Sequence, residues 1–109
     1  MNALKIRKRK EYALVFTNGK KINGKNLILQ YLKANTENPR FGITASKKIG
    51  NAVKRNYVKR RIRSLINKTL SQSNISLKNY VIVAKKGSLS VKFDDLYDEL
   101  KLLFNKVDS

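Results

Sequence analysis

The sequence predicts an α+β or α/β sandwich, helices flanking a layer of short strands, in a single domain over residues 1–109. Three observations predict it. Two long segments, Gly50 to Leu70 and Phe93 to Val107, place apolar residues at helical spacing. Three short segments, Asn26 to Leu32, Arg40 to Ser46 and Tyr80 to Ala84, are apolar in the alternating or continuous manner of strands. No long polar linker or internal repeat separates them.

Each element has its own signal. Arg9 to Asn18 reads as a short helix, with Tyr12, Val15 and Phe16 at i, i+3 and i+4 and Gly19 as a left-handed stop. Asn26 to Leu32 alternates Leu27, Leu29 and Tyr31 against Ile28, Gln30 and Leu32. Asn35 to Pro39 is a polar turn, and Arg40 to Ser46 follows with Phe41, Ile43 and Ala45 on one face. Gly50-Asn51 opens the long central helix, with Asn51 as its N-cap. Tyr80 to Ala84 is apolar throughout, as an inner strand is. Phe93, Leu96, Tyr97, Leu100, Leu103, Phe104 and Val107 form the stripe of the last helix. The core-like pattern begins only at Tyr12, so residues 1–8 are expected to be a basic, flexible arm.

Charge narrows the function classes. Lys and Arg number 25 against 7 Asp and Glu, a formal net charge of +18. Such a chain repels itself unless a polyanion neutralises it, so nucleic acid or an anionic membrane is the expected partner. The hydrophobic fraction of 41% is enough for a small core and too high for a disordered basic tail. No apolar run approaches the ~20 residues of a membrane span, and no apolar segment of the signal-peptide kind follows the basic start. Absence of Cys and His removes disulfides, thiolate clusters and the usual general base. Between Glu37 and Asp94 no acid occurs, while fourteen bases do: Arg40, Lys47, Lys48, Lys54, Arg55, Lys59, Arg60, Arg61, Arg63, Lys68, Lys78, Lys85, Lys86 and Lys92. A solvated helix gains i,i+4 pairs by mixing signs. A stretch of one sign forgoes them and reads as a surface for phosphates.

The central helix concentrates this signal. At about 100° per residue, Val58, Ile62, Leu65 and Ile66 share one narrow arc that must face the core. Arg55, Asn56, Lys59, Arg60 and Arg63 cover the adjoining arc, and Lys54 and Arg61 flank the stripe on its other side. Lys54 sits in the first turn, where an acid would suit the macrodipole, so Lys47, Lys48 and Lys54 with the helix start form a candidate anion site. Tyr12 and Phe16 allow two readings, core packing or a stacking platform for unpaired bases. Tyr31 and Tyr80 read as core or half-buried strand residues. Asp94, Asp95, Asp98 and Glu99 could suggest a metal-dependent nuclease. Their place in the first turns of a helix favours acids regardless, so they are expected to be charges on a solvated face. No protein-borne catalytic residue and no metal ligand is identified.

The stretch RFGITASKKIGNAVKRNYVKRRIR, residues 40–63, resembles the signature of the protein subunit of bacterial ribonuclease P. Its core is Ala52-Val53, Arg55-Asn56, Lys59-Arg60 and Arg63. Upstream, Tyr12, Phe16 and Gly19 match the family's aromatic first helix and turn, and residues 80–86 resemble its last strand. One departure is Tyr57, where the family often has Arg; on the helical wheel it lies off the basic arc, so one RNA contact is lost or replaced by stacking. The resemblance implies a short mixed sheet with N- and C-terminal helices and an unusual left-handed βαβ crossover through the basic central helix. It implies a cytoplasmic ribonucleoprotein that removes the 5′ leader from precursor tRNA, with the catalytic centre and its magnesium on the RNA subunit and substrate. Carried over by position, the RNA-subunit contacts are Lys48, Arg55, Asn56, Lys59, Arg60 and Arg63. The leader cleft holds Tyr12, Phe16 and Lys86. The protein is expected to be a monomer, one per RNA subunit. A ribosomal protein or general RNA chaperone is the alternative; an anionic-membrane binder is disfavoured, because the apolar stripe is narrow and the core requires it.

Overall fold

A computed structural model of the chain describes residues 4–107. Its strands are β1 (Leu4–Lys5), β2 (Lys20–Asn23), β3 (Leu27–Lys33), β4 (Arg40–Ala45) and β5 (Lys78–Ala84). Its helices are α1 (Arg9–Asn18), α2 (Ala52–Gln72) and α3 (Phe93–Asn105). The strands form one mixed sheet in the order β1-β4-β5-β3-β2. β5 lies innermost, parallel to β4 and antiparallel to β3. β4, α2 and β5 therefore make a crossover between adjacent parallel strands, the unit the resemblance implies.

Register explains which residues meet. Tyr31, Tyr80 and Phe41 stand in one row, Leu29, Ile82 and Ile43 in the next, and Leu27, Ala84 and Ala45 in a third. Strand residues two apart share a face, so the three rows form one apolar surface. Val58, Ile62, Leu65 and Ile66 of α2 and Leu96, Leu100 and Leu103 of α3 close over it. The aromatic row ends in Phe104, whose ring meets Tyr80 edge-on at 5.4 Å and Phe41 at 6.2 Å. Tyr31 and Tyr80 are thus core residues, and Tyr80 keeps its hydroxyl satisfied on Ser76 O at 2.7 Å.

The entry to α2 follows the expected pattern. Asn51 Oδ1 accepts the Lys54 backbone N–H at 3.0 Å. Gly50 precedes it with φ +143°, a conformation that L side chains rarely adopt.

Several expectations change, and one strand was not foreseen. Gly19 has φ −80°, so it is not a left-handed stop; a Cβ there would lie 2.4 Å from Val15 O, and close approach is what the position requires. The arm is not free over its described part. Leu4 and Lys5 pair in parallel with β4, and Ile6 is buried with its N–H on Phe41 O at 2.9 Å; residues 1–3 lie outside the described residues. β2, which pairs along its whole length with β3, had no apolar pattern to announce it. Helix α3 stops at Asn105, yet Val107 still packs on the core from the turn beyond.

The acids at the start of α3 differ from one another. Asp94, Asp95 and Asp98 are exposed, as expected of helix-start charges. Glu99 is not a solvated charge. Its carboxylate accepts the backbone N–H groups of Asn26 and Leu27, each at 2.8 Å, and the Asn26 side-chain amide at 3.0 Å. Lys85 Nζ donates to Gly24 O at 2.7 Å in the same turn. The β2–β3 turn is thereby tied to α3 and to the end of β5 at once.

This clamp can be tested by unfolding. Glu99→Ala leaves part-buried backbone donors without their charged acceptor, and denaturant titration should show a loss of ~2–4 kcal/mol. Asp95→Ala, one turn earlier and exposed, should lose less than ~1 kcal/mol. Equal stability of the two variants would refute the clamp.

Candidate nucleic-acid interface

The two faces of the sheet are covered unequally. Opposite the main core, Ile28, Val83 and Thr44 form one row and Gln30, Val81 and Gly42 the next. Among the described residues, the ten-residue α1 is the helix set against this face, and it buries Val15 there beside Ile6 and Val81. Glu11 forms an ion pair with Arg40, and Arg40 Nε donates to Asn79 Oδ1 at 3.1 Å, which fixes α1 to the sheet. The rest of the face stays open as a groove of about 480 Å³. Ile28, Gln30, Thr44, Val81 and Val83 line its floor. Tyr12, Ala13 and Phe16 form its helical wall, and Arg9 and Lys21 add cations at the margins.

Tyr12 and Phe16 resolve differently. Tyr12 is half-buried, its ring laid on the backbone of Gly42, where a Cβ would fall 2.4 Å from the ring. Phe16 is 70% exposed, which core packing does not explain. The structure thus brings one aromatic side chain down onto the sheet and leaves the other beside an apolar floor.

The second surface is the outer side of α2. Val58, Ile62, Leu65 and Ile66 are buried as the wheel requires. Arg55 and Lys59 are half-buried, while Asn56, Arg60 and Arg63 are exposed. Lys48 is exposed in the short 3-10 turn Lys47–Ile49, whose Lys48 N–H is capped by Ser46 Oγ at 3.1 Å. Lys59 and Arg63 also line a depression of about 210 Å³ between α2 and the β1–β4 edge, together with Lys5 and Tyr12. Tyr12 therefore borders both the groove and the cationic side of α2.

Not every base in the acid-free stretch faces outward for phosphates. Arg40 is held by Glu11 and Asn79. Arg61 Nη1 donates to Ser88 O at 2.8 Å and Nη2 to Val91 O at 2.5 Å. Lys85 is bound to the β2–β3 turn, and Lys68 lies 4.3 Å from the Tyr97 ring centroid. In these four positions a cation has become part of the scaffold.

Lys86 is exposed but does not line the groove with Tyr12 and Phe16. Lys5, Arg9, Lys21 and the groove floor were not singled out from the sequence. The floor had a signal: Ile28 alternates with Leu27 and Leu29, Val81 and Val83 with Tyr80 and Ile82, and one short helix is too little cover for a second apolar face. Lys5 had none, since strand β1 is two residues long.

The model of the Ribonuclease P family matches residues 1–108. The ribonuclease P protein component of Syntrophus aciditrophicus (strain SB) is 37% identical over 102 residues, covering 94% of this chain and 85% of that protein. That of Exiguobacterium sp. is 31% identical over 102 residues, covering 94% and 88%. Among solved structures, the RNase P protein of Staphylococcus aureus superposes with a TM-score of 0.84 at 23% identity, covering 97% of this chain and 96% of that one. The RNase P protein of Thermotoga maritima gives 0.85 at 22%, covering 96% and 98%. These two structures share the fold, and the sequence matches carry the family. The signature over residues 40–63 and the match along nearly the whole length agree: the chain belongs to the ribonuclease P protein family and is a subunit of a ribonuclease P complex.

Proposed function

We propose that the chain binds the RNA subunit of ribonuclease P through α2 and holds the single-stranded 5′ leader of precursor tRNA in the groove beside α1. One observation carries this reading: an open, apolar-floored groove walled by the exposed Phe16 adjoins an acid-free cationic helix, with Tyr12 at the junction. Bases need apolar and aromatic surface, whereas phosphates need cations. Lys48, Arg55, Asn56, Lys59, Arg60 and Arg63 take the RNA subunit in this reading. Tyr12 and Phe16 take the leader, with Lys86 outside the groove lining as a peripheral cation.

The hydrolysis that releases the leader belongs, in this reading, to the RNA subunit, with magnesium held mainly by that RNA and the substrate. We assign no magnesium to the protein's side chains. No group of three or more acids that could hold a metal comes together among the described residues. Asp98 lies 3.4 Å from Lys101 Nζ, and Glu99 serves the backbone. The protein's contribution is binding: cations on α2 screen RNA phosphates and so lower the magnesium requirement, and leader contacts favour precursor over mature product. Those leader contacts, made outside the tRNA body, also broaden the range of substrates. We place the protein in the cytoplasm as one monomer per RNA subunit. No helix among the described residues is long and apolar enough to cross a membrane.

Three measurements test this reading. Arg55→Ala, Arg60→Ala or Arg63→Ala should each weaken RNA-subunit binding and lower the log–log salt slope by about one unit or less. Unaltered slopes for all three would remove α2 as the phosphate surface. Phe16→Ala should weaken precursor tRNA binding to the assembled enzyme by roughly 5- to 150-fold, one lost stack, and leave mature tRNA binding unchanged. Its unfolding should shift by less than ~0.5 kcal/mol, because the ring is mostly exposed. Equal losses for precursor and mature tRNA would count against a leader groove. Asp94→Asn and Asp98→Asn should leave single-turnover cleavage at saturating enzyme nearly unchanged, and a loss of about a hundredfold with folding intact would place chemistry on the protein.

A further inference from the structure

α2 carries an apolar feature that neither the core nor the phosphate contacts use. Val53 is 76% exposed and Tyr57 44% exposed. They lie one turn apart and so form one strip on the helix surface. That strip is past the basic arc and well away from the buried Val58, Ile62 and Leu65. Exposed apolar residues usually stand singly; here two adjoin in the first two turns of a cationic helix.

The Tyr57 ring is also oriented in advance. The Arg61 guanidinium lies 5.6 Å from its centroid, within cation–π range. Arg61 is itself held by the carbonyls of Ser88, Leu89 and Val91 in the segment leading into α3. Turning this guanidinium toward a phosphate would break those bonds. It therefore acts as a fixed backing for the ring.

Charge around the strip selects the partner. Lys54 and Arg60, three residues before and after Tyr57, are both exposed, and no acid occurs between Glu37 and Asp94. An aromatic face set among cations and without acids complements a base flanked by phosphates. A protein partner would have to supply both an apolar cap and a ring of carboxylates around it.

We propose that Val53 and Tyr57 form a stacking seat for one unpaired nucleobase of the ribonuclease P RNA, with Lys54 and Arg60 placed for the flanking phosphates. This rests on the reading of α2 as the RNA-subunit surface and adds a base contact to it. Because Arg61 orients the ring before RNA arrives, less ordering is required on binding.

The chain has no Trp, so Tyr57→Trp introduces a single indole as a reporter. Titrating this variant with ribonuclease P RNA should change its emission in step with binding. Tyr57→Ala should weaken RNA-subunit affinity by roughly 5- to 150-fold, the value of one stack, while keeping the parent's salt slope. Tyr57→Phe should bind like the parent. Should Tyr57→Ala lose stability, the Phe and Trp variants, which keep the ring, still carry the test. Unmoved emission at saturating RNA overturns the seat. So does parent-like affinity of Tyr57→Ala while Arg55→Ala and Arg63→Ala bind more weakly; α2 then remains the RNA surface and the strip is left for another partner. If all three variants bind like the parent, the seat and the α2 reading fall together.

Discussion

A net charge of +18 on 109 residues governs how this fold can be tied together. With seven acids available, ion pairs cannot be the general means of joining elements, and each inward-turning polar group needs another kind of partner. Backbone atoms supply most of them. Arg61 joins α2 to the strap before α3 through carbonyls, Lys85 joins β5 to the β2–β3 turn through a carbonyl, and Glu99 joins α3 to the same turn through N–H groups. Glu11 is an exception, paired with Arg40 to hold α1 on the sheet. Lys48, Lys54, Arg60 and Arg63 are exposed on and beside α2, where a polyanion can neutralise them.

Helix coverage gives the sheet two different faces. Two amphipathic helices, α2 and α3, are enough to close one face over Leu27, Leu29, Tyr80 and Ile82. For the other face there is α1, with Val15 as its one buried residue. What is left over is an apolar floor beside an exposed aromatic ring. In a protein without a ligand such surface is an aggregation hazard; beside a basic rim it suits bases whose phosphates lie toward solvent.

Much of this was legible in the sequence. Helical spacing put Val58, Ile62, Leu65 and Ile66 inside, and Asn51 marked the start of α2, because those signals are local. The strand runs around Leu29, Phe41 and Val81 were equally plain. Pairings that depend on distant partners were not. Lys20 to Asn23 becomes a strand because β3 offers it an edge, and Leu4–Lys5 because β4 does. Glu99 looked like a helix-start charge since its partners, Asn26 and Leu27, lie more than seventy residues earlier. The sign of a base says nothing about its direction, so Arg40 and Lys85 were indistinguishable in sequence from Arg60 and Arg63, and the wheel set Arg61 on the far side of the stripe without revealing the carbonyls that hold it. On the candidate site, the aromatic pair was found, but the division between a seated Tyr12 and an exposed Phe16 needed the register that puts Gly42 beneath the ring.

That glycine has a consequence for how the molecule can vary. Position 42 belongs to β4, which leads directly into the turn and helix that carry the cationic face, and it also sets how low Tyr12 sits beside the groove. A single methyl there would lift the ring and alter the gauge of the groove relative to α2. Residue 42 thus works as a spacer. The width of the groove is thereby set from beneath, by a residue that does not line it, while every side chain that does stays the same.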